Sequence, residues 1–273
     1  MTRAEVDIAV DWAALEGWNP CVHEADCLYR AYPQGFFVGL LDGEPIACIS
    51  AVSYGESYGF LGFYIVKPEY RKRGYGVRLW REAMEHLSGR NIGLDGVPAQ
   101  LDNYKKSGFK LAYRNVRYQW QANHDKSVTR QVVKLSETPR KTLEKYDTEM
   151  FGVERNLFLD CWVSRPDSSA LGILQDGTIH GYGVVHKCRN GYKIGPLFAN
   201  GPEVAESLFL SLTNSVPEGV SVFLDVPEVN SEGVRIANCY GMTKVLEAAR
   251  MYTKGEPQVP LHQWFGVTTL ALG

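Results

Sequence analysis

The chain of 273 residues carries 29 Lys+Arg against 31 Asp+Glu, a formal net charge of −2, with 45% hydrophobic and 22% charged residues. That balance describes a folded globular protein and gives no bulk attraction to nucleic acid or to an anionic membrane, so any anion site has to be local. Apolar runs such as Phe36–Leu41 and Phe60–Val66 fall far short of the ~18 residues of a membrane span. Glu5, Asp7 and Asp11 do not suit a secretory signal, so a cytoplasmic protein of two domains, or one large one, is expected.

Thr2-x-x-Glu5 has the form of a capping box and opens a helix with Val6, Val10, Ala13 and Ala14 near one face. Trp18-Asn19-Pro20 ends it, and His23 to Tyr32 reads as a second helix. Two apolar runs, Phe36–Leu41 and Ile46–Val52, flank the hairpin signal Asp42-Gly43, and Gly55 to Gly59 supplies the turn into a buried strand from Phe60 to Val66. Pro68 stops that strand. A basic, glycine-punctuated turn from Arg71 to Gly76 follows, then a helix from about Tyr75 to Leu87 with Leu79, Ala83 and Leu87 inward. Asn91 to Leu94 is a further short strand, Pro98 to Ser107 a helix closed by Gly108, and Leu111 to Trp120 the last strand of this half.

The junction of strand, turn and helix favours anions. The first N–H groups of a helix have no intrahelical partner, and the helix dipole adds about half a positive charge there. Gly74 and Gly76 remove side chains where a ligand approaches the backbone, while Arg71, Lys72 and Arg73 supply charge, so the turn reads as a pyrophosphate cradle. The hexapeptide alone also fits a solvated basic turn; its position between a Pro-terminated strand and an amphipathic helix favours the cradle. It lacks the Gly-Lys-Ser/Thr ending of a P-loop and the Gly-x-Gly-x-x-Gly of a dinucleotide fold.

Val66-x-Pro68-x-x-Arg71-x-x-Gly74-x-Gly76 resembles the acyl-CoA-binding motif of the GNAT superfamily of N-acetyltransferases, and Asn103-Tyr104-Lys105-Lys106-Ser107-Gly108-Phe109 resembles its second motif, Tyr-x-x-x-Gly-Phe. The resemblance implies an α/β fold and acetyl-CoA as co-substrate. It places the CoA on Arg71, Lys72, Arg73, Gly74, Tyr75 and Gly76, with the strand backbone at Tyr64, Ile65 and Val66 supplying donors to an oxyanion. It makes Tyr104 the general acid for the departing thiolate, although a Tyr at an apolar helix position also reads as packing. It roofs the acceptor cleft with the first two helices, so Trp18, His23, Glu24 and Asp26 become candidate substrate contacts, against the plainer reading of surface polarity and a core Trp. The base that must deprotonate an ammonium is open: the central strand holds no carboxylate, and Glu24, Asp26, Glu56 or a chain of waters are the alternatives. Val97 departs from the family, many members of which carry Asn there.

From Gln121 to Thr148 the chain turns polar, which marks a boundary between domains 1–120 and 127–273. Val128, Val132, Val133 and Leu135 fit a weak strand, and Thr138-Pro139 an N-cap and first turn of a helix to Met150. The second half of the chain repeats the first. Asp42-Gly43 recurs as Asp176-Gly177, Leu94-Asp95-Gly96-Val97-Pro98 as Leu224-Asp225-Val226-Pro227, Gly108-Phe109 as Gly241-Met242, and Arg117-Tyr118 as Arg250-Met251-Tyr252. The second copy has lost the cradle, with Pro196 to Glu203 carrying no cation, and it has Ala237 at the place of Tyr104; Asn230 stands where the first copy has Val97. Its ending, Ala249–Thr253 through Phe265–Thr269, resembles the C-terminal domain of bacterial tandem GNAT proteins. Two tandem GNAT-like domains are expected, each a mixed, mostly antiparallel sheet flanked by helices, the first binding acyl-CoA and the second shaping the acceptor pocket.

Six scattered cysteines, Cys21, Cys27, Cys48, Cys161, Cys188 and Cys239, include no Cys-x-x-Cys pair and read as reduced thiols; no metal site has ligand spacing. The expected partner is a small-molecule or protein amine, with no nucleic acid and no membrane, and the oligomeric state is open. The alternative is a non-catalytic acyl-CoA-binding sensor, which a sealed acceptor side would favour.

Overall fold

A computed structural model describes residues 1–124 and 131–273. Val128, one member of the weak strand expected after Gln121, lies outside the described residues. The first half holds α1 (Arg3–Leu15), α2 (Glu24–Ala31), β1 (Phe36–Leu41), β2 (Glu44–Tyr54), β3 (Tyr58–Val66), α3 (Tyr75–His86), β4 (Asn91–Gly96), α4 (Leu101–Lys106) and β5 (Lys110–Gln121). The second holds β6 (Val133–Lys134), α5 (Arg140–Phe151), α6 (Asn156–Val163), β7 (Ser168–Gln175), β8 (Thr178–Lys187), β9 (Tyr192–Ala199), α7 (Pro202–Thr213), β10 (Ser221–Pro227), α8 (Ser231–Cys239), β11 (Thr243–Tyr252) and β12 (Trp264–Gly266).

Local sequence explains the element ends. Thr2 and Glu5 close a reciprocal capping box on α1. Asp42 and Gly43 both take positive φ, as a two-residue hairpin turn between right-twisting strands requires. Two expectations are corrected. The helix from Pro98 starts as a single 3-10 turn, Pro98–Gln100, before α4. Thr138 does not cap α5: its N–H closes a preceding short turn on Leu135 O at 3.1 Å, and Pro139, extended at ψ 123°, occupies the cap position so that the helix begins at Arg140.

The two halves share one twelve-stranded, mixed and mostly antiparallel sheet, ordered β1-β2-β3-β4-β11-β5-β10-β9-β8-β7-β6, with β12 beside β9. The halves exchange their last long strands. β11 of the second half runs antiparallel to β4 of the first, and β5 of the first runs antiparallel to β10 of the second. The repeated Leu-Asp and Arg-Tyr motifs explain the exchange, because the register sets Asp95 opposite Arg250 and Asp225 opposite Arg117. Both pairs are buried and bidentate: Arg250 donates to the two oxygens of Asp95 at 2.8 and 2.7 Å, and Arg117 to those of Asp225 at 2.6 and 2.8 Å. Each aspartate is therefore ion-paired with an arginine of the other half.

One hydrophobic core spans the halves, joining Val6, Leu28 and Phe36 to Tyr146, Phe158 and Trp162. The same packing of α2 against α6 corrects the reading of the cysteines: Cys27 and Cys161, 134 residues apart, form a disulfide, and Cys21 Sγ lies 3.0 Å from Cys188 Sγ. No spacing rule could find these pairs, since the interface between the halves makes them.

Each half contains a V where two parallel strands separate. β3 and β4 pair from Tyr58↔Asn91 to Leu61↔Leu94 and then diverge; β9 and β10 pair from Tyr192↔Val222 to Ile194↔Leu224 and diverge likewise. The second V is filled by the chain itself. β12 pairs with Leu197 and Phe198 of β9, and the Val267 N–H donates to Asp225 O at 2.9 Å. The first V opens into a cavity.

Candidate active site

The cavity has a volume of about 560 Å³ and runs from the basic turn, along the free edge of β3, to the loop before α2. Its central wall is a bulge. Ser50 pairs with Gly62 and Cys48 with Ile65, so Phe63 and Tyr64 together oppose Ile49, and Phe63 takes φ 46°. A non-glycine residue there costs about 1–3 kcal/mol, which the Cys48 thiol partly offsets by donating to Phe63 O at 3.2 Å. The Lys67 N–H donates to Ile46 O on β2 at 3.0 Å. By alternation along the strand, the N–H groups of Val66 and Tyr64 face the other edge, where β4 has turned away.

At one end stands the turn. Lys72 at φ 63° and Gly74 at φ 86° coil the backbone ahead of α3, bringing successive N–H groups and the positive end of the helix dipole to one concavity. A Cβ on Gly76 would lie 2.6 Å from Tyr64 Oη and 2.9 Å from Val66 Cγ2, so glycine is what lets α3 start against β3. Arg71 is tied down: its Nε donates to Val66 O at 2.8 Å and its Nη2 pairs with Glu16, the C-cap of α1. Lys72 lines the cavity, whereas Arg73 stacks over Tyr70 at 5.8 Å and Tyr75 meets the same ring edge-on at 6.2 Å, both off the wall. Of the residues expected to hold CoA, Tyr64, Ile65, Val66, Arg71, Lys72, Gly74 and Gly76 therefore meet at one cavity, and Arg73 and Tyr75 do not.

Tyr104 reaches the cavity from α4. Its ring lies against Gly96, where a Cβ would clash with Cε2, and against Trp80 at 5.6 Å. Burial, with Tyr64 nearby, pushes its hydroxyl up to about 12, which keeps the phenol protonated at neutral pH.

The other end is built by both halves. Trp18, Pro20 and Glu24 come from the loop before α2 and its first turn, Arg117 from β5, Lys193 from β9, and Thr269, Leu270 and Ala271 from the segment after β12. Glu24 is buried and its Oε2 accepts the Cys21 N–H at 2.8 Å. Arg117, held by Asp225, also donates from Nη1 to Trp18 O at 2.7 Å. Lys193 Nζ donates to Asn19 O at 2.9 Å. His23 and Asp26, expected as substrate contacts, face away: both side chains are more than half exposed, and Asp26 pairs with Arg3. Glu56 sits in the exposed β2–β3 turn, so of the three carboxylates considered as base, Glu24 alone lines the cavity. Asn230 is committed to structure, capping α8 through Gly233 N and donating to the carbonyls of His262 and Trp264.

Sequence reasoning missed Lys193 and Thr269–Ala271. Arg117 was visible only as half of a repeated Arg-Tyr pair. Lys193 carries no local signal, since it reaches the cavity through the strand exchange. Among the described residues no group of His, Cys, Asp or Glu is arranged to hold a metal ion, and no helix is long and apolar enough to cross a membrane.

Residues 6–109 match the acetyltransferase (GNAT) family and residues 143–266 the acetyltransferase (GNAT) domain. The chain is 30% identical over 269 residues to holothin acyltransferase of Pseudoalteromonas sp. (strain SANK 73390), covering 98% of this chain and 92% of that one. It is similar to the crystal structure of a putative acetyltransferase from Pyrococcus horikoshii, with a TM-score of 0.79 and 26% identity over 91% of this chain and 83% of that one. A tandem GNAT protein from the clavulanic acid biosynthesis pathway shares the fold at a TM-score of 0.63 and 13% identity, covering 92% of this chain and 96% of that one.

Proposed function

The chain belongs to the GNAT acetyltransferase superfamily and is an acyltransferase, and from that premise we propose that it transfers the acetyl group of acetyl-CoA to a primary amine of a small molecule. One observation carries the reading: a single cavity joins the glycine turn, the free edge of a bulged β3, Tyr104 and Glu24. When bound, acetyl-CoA supplies an activated thioester carbonyl. The backbone N–H groups from Lys72 into the first turn of α3 neutralise phosphate without a fixed counter-ion of their own. The N–H groups of Tyr64 and Val66 face the V and serve as donors to an amide arm and to the oxyanion. Glu24 takes the proton of the incoming ammonium, directly or through water, since an amine must be neutral to attack. Tyr104 gives its proton to the departing sulfur.

The cavity also argues for a small acceptor. Its volume, about 560 Å³, is that of a small-molecule site, its far end is lined by Trp18, Lys193 and Leu270, and its continuity from the turn to Glu24 disfavours a sealed sensor. The relative from Pseudoalteromonas is itself named for acyl transfer, to holothin. The test is calorimetry with acetyl-CoA, wild type beside Gly74→Glu, followed by free-thiol release against a panel of amines. Gly74→Glu forces a side chain into φ 86° and sets a carboxylate at the cradle, so binding is abolished; unchanged affinity would remove the phosphate assignment. Tight binding with no thiol release from any amine would return the protein to the sensor reading.

A further inference from the structure

Among the described residues, buried charge is paired, with two exceptions. Arg117 pairs with Asp225, Arg155 with Asp147, Arg165 with Asp167 and Arg250 with Asp95. Among the described residues, Glu24 and Lys193 are the buried Asp, Glu, Lys or Arg side chains that have no ion-pair partner within 4.0 Å, although their residues are only 3% and 7% exposed. Both line the same end of the same cavity. Each has one fixed backbone contact and capacity to spare: the Lys193 ammonium has three hydrogens and gives one to Asn19 O, and the Glu24 carboxylate receives one N–H, from Cys21. Arg117 and Asp225 beside them are bonded bidentately to each other, so Lys193 acts on the Asp225 carboxylate only through space and makes no ion pair with it within 4.0 Å.

An isolated buried charge is costly unless something pairs with it. Two of opposite sign, from different halves of the fold and facing one cavity, call for a ligand that brings the complementary pair. We infer that the acceptor is a small zwitterionic amine, its ammonium directed to Glu24 and an anionic oxygen, a carboxylate, held by Lys193. This rests on the acyl-transfer reading and adds the class of acceptor. A simple amine would meet Glu24 but leave the ammonium of Lys193 buried against its own apolar body. A zwitterion satisfies both walls at once, and once Glu24 has taken the proton the carboxylate remains to hold the neutral amine in place for attack.

The experiment compares matched trios that differ only at one group: alanine, alaninamide and ethylamine, and phenylalanine, phenylalaninamide and phenethylamine. Thiol release with acetyl-CoA gives kcat/KM for each. In parallel, fluorescence titration, with Trp18 on the cavity wall, measures binding to protein loaded with desulfo-CoA, which cannot react. In at least one trio the carboxylate member is expected to exceed both others by tenfold or more. In Lys193→Gln that margin collapses to within threefold through a rise in acceptor KM, and Lys193→Arg restores part of it. The inference is overturned if the amide or the decarboxylated amine does as well as the carboxylate, or if Lys193→Gln lowers all three members equally. Should Lys193→Gln fail to fold, the wild-type ranking decides alone. Should no member turn over, carboxylate-selective binding would uphold the inference while acyl transfer failed, and unselective binding would overturn the inference.

Discussion

Replacing Arg250 by Met tests whether the exchanged strands hold the two halves together. Arg250 is buried to 1% exposure, donates twice to Asp95, and lies over the rings of Phe60 at 5.0 Å and Tyr113 at 5.8 Å. Met conserves much of the stem but leaves the carboxylate of Asp95 buried with the Asn115 amide, at 2.8 Å, as its side-chain donor among the described residues. Breaking a buried pair from one side costs about 3–5 kcal/mol, because the remaining charge is uncompensated. For a chain of this size, that corresponds to a fall in Tm of roughly 6–20 °C. Removing both charges in Arg250→Met/Asp95→Leu is expected to recover most of the loss, since paired ions and apolar residues of similar volume are often near equal in stability. Calorimetry should show one transition that moves as a whole, because Arg250 belongs to the second half and its counter-ion to the first. A loss below about 1 kcal/mol, or a split into two transitions with one unmoved, would refute the idea that strand exchange couples the halves.

Three further outcomes are expected. Tyr104→Phe should keep acetyl-CoA affinity and lower kcat by about 10²-fold, within the usual range for a general acid; because burial raises this phenol to about 12, its acidic form persists, and the wild-type rate should show no alkaline fall below pH 10 that Tyr104→Phe removes. Glu24→Gln should lower kcat by roughly 10²-fold or more and weaken zwitterion binding, whereas Asp26→Asn and Glu56→Gln, away from the cavity, should leave the rate alone; equal effects of all three in steady-state kinetics would remove Glu24 as base. Gly76→Ala adds a methyl 2.6 Å from Tyr64 Oη, an overpacking that costs about 1–3 kcal/mol and displaces the start of α3 from β3, so weaker acetyl-CoA binding should accompany the lower Tm.

The strand, turn and helix around Gly74 were legible because the chemistry is local: a proline ends β3, glycines allow the positive φ and the close approach, and an amphipathic helix follows. Tyr104 was singled out only through resemblance, as nothing in six residues of helix distinguishes a proton donor from a packed ring. His23 and Asp26 show the limit of assigning a whole helix to a cleft. They flank Glu24 in sequence, but a helix turns by about 100° per residue, and the face that carries Glu24 inward carries Asp26 out to Arg3. Lys193, the Cys27–Cys161 bond and the segment 269–271 depend on contacts across more than a hundred residues, which no window along the chain contains.

The duplicated unit explains why the site needed both halves. Each copy makes the same V from two diverging parallel strands, and each V must be filled, because separated strands leave backbone N–H and C=O groups without partners. In the second copy the chain fills its own V with β12, whose Trp264 and Gly266 take the place along β9 that a ligand arm would occupy. The plugged V is accompanied by a run from Pro196 to Glu203 without a cation. The segment that leaves the plug then crosses to the first copy, where a Cβ on Gly62 would clash with Ala271 O and the Tyr54 hydroxyl donates to Leu272 O at 2.8 Å. One segment thus closes the V of the second half and walls the cavity of the first. The plugged V thus serves as scaffold for the open one, and Lys193, on the strand that borders the plug, is one of the residues by which the second half lines the cavity of the first.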